Sequence, residues 1–167
     1  MTEKKREIEV KHPNKLVKAE RLRHKSLVEG LFAHGSTLYD FPLRLTYRLL
    51  SRKELDNNFR EATPAGIAKV QMMITVPKKK RRHAVDRVLL RRRIREAYRL
   101  QKGDLRRMLE TDGNAGTLSL AFVYMHGENL DYSLIERKMG KLLKKLCIRL
   151  AENNTGDASG KEEREDI

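Results

Sequence analysis

A chain of 167 residues with 37 Lys+Arg against 23 Asp+Glu carries a formal net charge of +14, with 39 % hydrophobic and 36 % charged residues. That length fits one domain with tails, able to bury its own core, while a single cysteine excludes an internal disulfide framework and no Cys/His cluster has the spacing of structural zinc. No apolar run reaches the roughly 18 residues of a membrane span, and the N-terminus, MTEKKREIEV, lacks the apolar centre of a secretory signal, so the expectation is a cytoplasmic protein with a polyanionic partner.

Residues 1–19 are polar and mixed in sign and read as a flexible basic arm, followed by one domain over 20–150. Ser26-Leu27-Val28-Glu29 has the S-x-x-E form of a capping box with Ser26 as N-cap, and Gly35 suits a helix C-terminus, so a short helix is expected over Leu27–His34. From Pro42, PLRLTYRLL alternates Leu43, Leu45, Tyr47 and Leu49 against Arg44, Thr46 and Arg48, which predicts a half-buried strand. Residues 51–66, SRKELDNNFREATPAG, read as a long loop. Residues 67–77, IAKVQMMITVP, alternate again and give a second strand ended by Pro77. Helical periodicity covers Val85–Gln101 and continues, after a break at Gly103, toward Glu110. Thr117–Met125, TLSLAFVYM, is almost wholly apolar and reads as a central strand. From Asp131 to about Leu150 a last helix sets Ile135, Met139, Leu142, Leu143, Leu146 and Leu150 on one side and Lys138, Lys141, Lys144, Lys145 and Arg149 on the other. Residues 151–167 hold six acids and two bases and read as a disordered, solubilising acidic tail. The order of helix, strands, long basic helix, strand and helix makes a single small α+β domain, its sheet covered by helices on one face.

The charge concentrates in the third block. Between Lys78 and Lys102 there are twelve Lys/Arg, opposed only by Asp86 and Glu96. At about 100° per residue, Arg87, Arg91, Arg92, Arg95, Arg99 and Lys102 share an arc of about 140°, while Leu89, Leu90, Ile94, Ala97 and Leu100 form the face expected in the core. Arg93 interrupts that apolar face, and its stem can snorkel out. Like charges four residues apart disfavour a helix by a few tenths of a kcal/mol per pair, and Arg87, Arg91, Arg95 and Arg99 repeat that spacing with no acid on the arc. An anion outside the fold is expected to offset this. Arginine pairs bidentately with phosphate and stacks on bases, and Lys78, Lys79 and Lys80, followed by Arg81 and Arg82, extend the same surface.

Protein-borne chemistry has no such signal. Asp86 reads as an N-cap and Glu96 as a local charge partner, and the five histidines show no ligand spacing. Cys147 falls at the apolar margin of the last helix as an inert thiol, and there is no P-loop and no GxGxxG. The residues therefore describe a polyanion-binding protein without its own active site, metal or small-molecule substrate. Phe32 with Arg44, Thr46 and Arg48 suits a groove for single-stranded RNA. No helix-turn-helix doublet or zinc finger supports DNA. A ribosomal or chaperone-type RNA-binding protein, a basic DNA-binding regulator and an independent nuclease are the alternatives.

The segment from His83 to Arg99, HAVDRVLLRRRIREAYR, resembles the signature of the bacterial ribonuclease P protein component, A-V-x-R-N-R-x-K-R-x-x-R-E, at Arg87, Arg91, Arg92, Arg95 and Glu96. Glu20-Arg-Leu-Arg23, Phe32-Ala-His-Gly35 and the strand entering Val76-Pro-Lys-Lys are similar to that family too, over about residues 18–150. The chain departs at Val88 and Leu89, where the family has Asn and Arg, and at Val28, where an earlier aromatic is common. The resemblance implies an accessory subunit of a ribonucleoprotein endoribonuclease, which binds a catalytic RNA and promotes removal of the 5′ leader of precursor tRNA. It implies Mg²⁺ held mainly by that RNA and none by the protein alone, with no membrane partner. With the charge pattern above, RNA binding is expected of Arg87, Arg91, Arg92, Arg95, Arg99, Lys78, Lys79 and Lys80, and leader binding of Phe32, Arg44 and Arg48. The resemblance also implies a left-handed β-α-β crossover around the arginine helix.

Overall fold

The computed structural model describes residues 14–111 and 115–155. A 3-10 turn at Lys18–Glu20 leads into α1 (Lys25–His34), β1 (Ser36–Asp40), β2 (Leu43–Ser51), α2 (Arg52–Asn57), β3 (Val70–Thr75), α3 (Ala84–Gln101), α4 (Gly103–Thr111), β4 (Ala115–Tyr124) and α5 (Tyr132–Thr155). The four strands form one sheet in the order β1-β2-β4-β3. β2 is antiparallel to both β1 and β4, whereas β3 and β4 run parallel. Parallel neighbours need a long crossover, and here α3 and α4 supply it. β4 lies between β2 and β3, as its apolar sequence requires, and Leu118, Leu120, Phe122 and Tyr124 are all fully buried. No described helix is long and apolar enough to cross a membrane.

Helices cover both faces of the sheet, not one. The larger core joins Leu43, Leu45 and Tyr47 of β2 to Leu90 and Ile94 of α3, Leu105 of α4 and the α5 stripe from Ile135 to Leu150. A second cluster of Leu22, Leu27, Leu31, Leu50, Leu55 and Ala121 lies under α1 and α2. The alternation that points Leu43 and Leu45 one way points Thr46 and Leu50 the other, where Ala121 and Met73 meet them. The cover comes partly from the stretch expected to be loop, since Leu55 and Phe59 pack there, joined by Ile67 just before β3.

One local expectation fails because burial overrides it. Of the S-x-x-E patterns at Ser26 and Ser51, only the second caps a helix. Glu54 N donates to Ser51 Oγ at 3.3 Å and Ser51 N to Glu54 Oε2 at 2.8 Å, which starts α2. Ser26 instead lies inside α1, whose N-cap is His24. Burial of Leu27 and Leu31 sets where that helix begins. Gly35 does end α1, but in an extended conformation (φ −74°, ψ 155°). Its lack of a side chain matters for packing, because a Cβ would collide with the Leu31 carbonyl and stand 2.9 Å from Thr46 Cγ2. β1 was not anticipated, because Leu38 is its one buried side chain. α5 runs past Leu150 to Thr155, and the rest of the acidic tail lies outside the described residues, as do residues 1–13.

α3 is turned relative to the expected wheel. Its buried residues are Leu90, Ile94, Ala97 and Tyr98, while Leu89 and Leu100 are 36 % and 42 % exposed. The Tyr98 ring packs on Phe122 with centroids 5.6 Å apart and draws the helix toward β4. Lys102, placed on the cationic arc by periodicity, is buried instead: its ammonium donates to Glu20 at 2.7 Å and to the Lys15 carbonyl at 2.9 Å. The segment before α1 is therefore tied to the end of α3. Arg93 does reach outward, donating to the Leu130 carbonyl at 2.6 Å.

Removing one member of a buried ion pair strands the other charge, at a cost of about 3–5 kcal/mol. Because the Lys102 side chain is only 4 % exposed, Glu20→Ala should lower stability in urea by about 3 kcal/mol, whereas an exposed pair such as Lys25–Glu29 should be silent to mutation. Burial raises the Asp40 pKa, but the hydrogen bond and charge of Lys138, with Lys145 and Lys141 behind, bring it below its ordinary 3.8. That stabilisation is present above the ordinary value and is lost as pH falls through the lower folded value. Asp40→Asn should therefore make stability fall less steeply below about pH 4, read by urea titration at a series of pH values.

Candidate nucleic-acid interface

The turn into α3 is built by its own cations. Beyond β3, the Pro77 carbonyl accepts from the amides of Lys80 and Arg81, both at 3.0 Å, which leaves Lys78, Lys79 and Lys80 exposed. The Arg81 guanidinium pairs with Asp86 at 2.7 Å and reaches the Gly127 carbonyl. Asn129 also donates to Asp86, at 2.8 Å. That hydrogen bond, with the Arg81 charge behind it, holds the carboxyl below the usual range despite its partial desolvation. Asp86 is thus a first-turn acid, favourable near the helix N-terminus, and the N-cap is His83. Arg87 donates to the carbonyls of Arg81 and Arg82, at 3.0 and 2.6 Å, so it clamps the turn.

The arginines of α3 then divide. Arg99 is held bidentately by Glu96 at 2.6 and 2.9 Å, the local partnership expected of that acid. Arg92 and Arg95 are exposed, Arg91 is half-buried, and none of the three has an ion pair among the described residues. Arg95 lines a cleft of about 360 Å³ together with Arg21, Arg23, Met72 and Met73. The chain before α1 creates this arrangement by running along β3. Leu22 N donates to the Met72 carbonyl at 2.9 Å, and the Gln71 side chain to the Ala19 carbonyl at 3.0 Å. The open edge of β3 is thereby covered, and two further guanidinium groups come to Arg95. Sequence reasoning did not place Arg21 and Arg23 in the site, although the alternation Arg21-Leu22-Arg23 is the signal of an extended segment with one side buried.

Arg44 and Arg48 point to the other face of the sheet, the one α1 packs on. Arg44 faces Tyr39 and Val123 across its neighbouring strands. Its Nε is buried without a hydrogen-bond partner among the described residues. Arg48 lies directly against α1, since a Cβ on Gly30 would collide with its Nη1. Phe32 on α1 is 48 % exposed, as are Tyr39 (63 %) and Phe41 (58 %), the last edge-on to His126 at 5.1 Å. Arg44, Arg48 and α1 therefore meet on one face, and the α3 arginines lie over the other. Sequence reasoning passes over Tyr39 because it does not see β1, and Phe41 because it sits in the turn after that strand.

Among the described residues no three His, Cys, Asp or Glu side chains gather as a metal site. Burial, and then Asp104, push the Cys147 thiol up, away from the reactive thiolate form. What the surface offers is guanidinium and ammonium donors.

Residues 16–147 match the sequence model of the ribonuclease P family. The chain belongs to the ribonuclease P protein family. It is 34 % identical over 138 residues to the ribonuclease P protein component of Porphyromonas gingivalis, covering 83 % of this chain and 88 % of that one. The ribonuclease P protein component of Chlorobaculum tepidum is also 34 % identical, over 152 residues, with 88 % and 93 % covered. The fold matches that of the Staphylococcus aureus RNase P protein, with TM-score 0.54, 17 % identity, and 77 % and 96 % of the two chains covered. The Thermotoga maritima protein gives TM-score 0.51 at 21 % identity, covering 75 % and 96 %. Membership makes this chain a protein subunit of the ribonucleoprotein endoribonuclease that processes tRNA 5′ ends, with ribonuclease P RNA as its partner.

In this ribonuclease P protein, Arg87 should behave as a structural residue. Arg87→Ala removes two bonds from a charged donor, each contributing about 1.5–3 kcal/mol when well shielded. At this half-buried position a loss of about 1–2 kcal/mol is expected in urea unfolding.

Proposed function

We propose that the α3 face of Arg91, Arg92 and Arg95, continued by Arg21, Arg23 and the Lys78–Lys80 turn, binds phosphates of the catalytic RNA, and that the α1 face of the sheet binds the single-stranded 5′ leader of precursor tRNA in the cytoplasm. The observation that carries the first half is the Arg95 cleft, which three arginines line without a carboxylate. Neutralising phosphates there releases condensed counterions, so binding draws on the charge that strains the free helix. Arg87 and Arg99 contribute less than the signature suggests, since protein acceptors already occupy both. For the leader, the guanidinium groups of Arg44 and Arg48 lie beside α1 and Phe32 supplies an exposed ring, a pairing suited to phosphates and unstacked bases.

The protein's own residues do not suit Mg²⁺. The two carboxylates of the basic zone are taken, Asp86 by Arg81 and Asn129 and Glu96 by Arg99, and the surrounding charge repels a divalent cation. On this reading the metal and the hydrolysis belong to the RNA, while the protein neutralises charge and holds substrate.

Precursor tRNA cleavage at low Mg²⁺ tests this, comparing protein alone, ribonuclease P RNA alone and the mixture. Cleavage at the mature 5′ end in the mixture only is expected, and cleavage by the protein alone contradicts it. Arg95→Gln should flatten the salt dependence of RNA binding by roughly one unit in log K against log salt, on the order of one per lost phosphate contact. Arg44→Gln should instead weaken binding of leader-bearing precursor tRNA to the assembled enzyme and leave mature tRNA unaffected.

A further inference from the structure

α5 carries a second cationic face that the reading above leaves unused. Arg137, Lys141, Lys144, Lys145 and Arg149 are all exposed, and no acid lies between Arg137 and Arg149. Arg137, Lys141, Lys145 and Arg149 repeat the four-residue spacing, so the repulsion argued for α3 recurs here. The fold offsets only part of it. Asp40 takes Lys138 at 3.0 Å and lies 3.7 Å from Lys145, and the Tyr39 carbonyl accepts from Lys145 at 3.1 Å.

The flank of this face that carries Lys145 lies at the other edge of the sheet from the arginine cleft, while Lys144 lies beside Leu100 and Arg107. Lys138 and Lys145 reach residues of β1, one edge of the sheet, whereas Arg95 shares its cleft with residues of β3, the other edge. Three inter-strand spacings separate those edges, roughly 14 Å, so the two surfaces contact different phosphates. The chemistry differs too. α5 presents mainly lysine, a point charge suited to phosphate rather than to stacking, and no aromatic side chain follows Tyr132 in the helix. The face runs about 18 Å along the helix axis. Such a surface follows a phosphate backbone without reading bases, as recognition of double-stranded RNA requires.

We propose that the lysine face of α5 is a second phosphate-binding surface, occupied by a double-stranded segment of the ribonuclease P RNA. The proposal rests on the RNA-binding reading above and adds a contact on the opposite flank, so the RNA holds the protein from both sides.

The test is the salt dependence of ribonuclease P RNA binding by the full chain carrying K141Q/K144Q/R149Q, with R92Q/R95Q and precursor tRNA alone measured in parallel. Glutamine keeps helix propensity, unchanged far-UV circular dichroism checks folding, and the single variant K144Q repeats the test with the least disturbance. The expected result is a slope lower by about two to three units in the triple variant and about one in K144Q. An unchanged slope in the α5 variants, with R92Q/R95Q flattened, overturns this inference and leaves the α3 reading standing. If R92Q/R95Q is unchanged as well, the α3 reading fails with it. A change confined to precursor tRNA overturns the assignment to the catalytic RNA.

Discussion

The parallel pairing of β3 with β4 is the constraint on which the rest of the structure depends. Two parallel neighbours cannot be joined by a tight turn, so the chain must leave the Val70–Thr75 strand, cross the sheet and return to its centre. The crossover is α3, and its route fixes which side of that helix meets the core. Leu90, Ile94, Ala97 and Tyr98 face the core, α5 packs alongside with Gln101 donating to the Glu136 carbonyl, and the side that carries Arg92 and Arg95 is left to solvent. Because β3 is then an edge strand, its outer side must be covered. The segment through Arg21 does so, and its two arginines reach the Arg95 cleft for that reason.

A helix this basic is held by dividing its charges. Arg81, Arg87, Arg93 and Arg99 are each taken by a carbonyl or a carboxylate of the protein, and Lys102 is buried on Glu20. Those bonds order the turn before α3 and anchor its C-terminal end. Arg92 and Arg95 stay open to solvent. The surface for a polyanion is therefore smaller than the count of cations suggests, and it is fixed on an ordered helix. The two departures from the family signature sit beside it: Val88 and Leu89 are exposed apolar side chains, 41 % and 36 %, next to the open arginines.

How much of this was legible follows from where each signal comes from. Long periodic segments such as α3, α5 and β4 announce themselves, because many side chains repeat one burial choice. β1 and α2 did not, since each has one buried residue, Leu38 or Leu55, and owes its place to partners distant in sequence. The wheel placed Arg92 and Arg95 on the open side. It misassigned Lys102, Leu89 and Leu100 and left the buried Tyr98 out, because a propensity argument does not see Glu20 or Phe122. Ser26 shows the same limit: an identical capping pattern works at Ser51, where the chain arrives extended (φ −68°, ψ 165°), and is unused where buried leucines set the helix start.

The central claim is that the RNA lies against the open arginines of α3. A photoreactive group replacing Val88, which stands exposed among them, tests it most directly in the assembled complex with ribonuclease P RNA, with a group at Arg52 on the opposite face as reference. A crosslink from position 88 to one defined region of the RNA, and none to that region from position 52, is the outcome this account predicts. An intact complex that gives no RNA product from position 88 would contradict it.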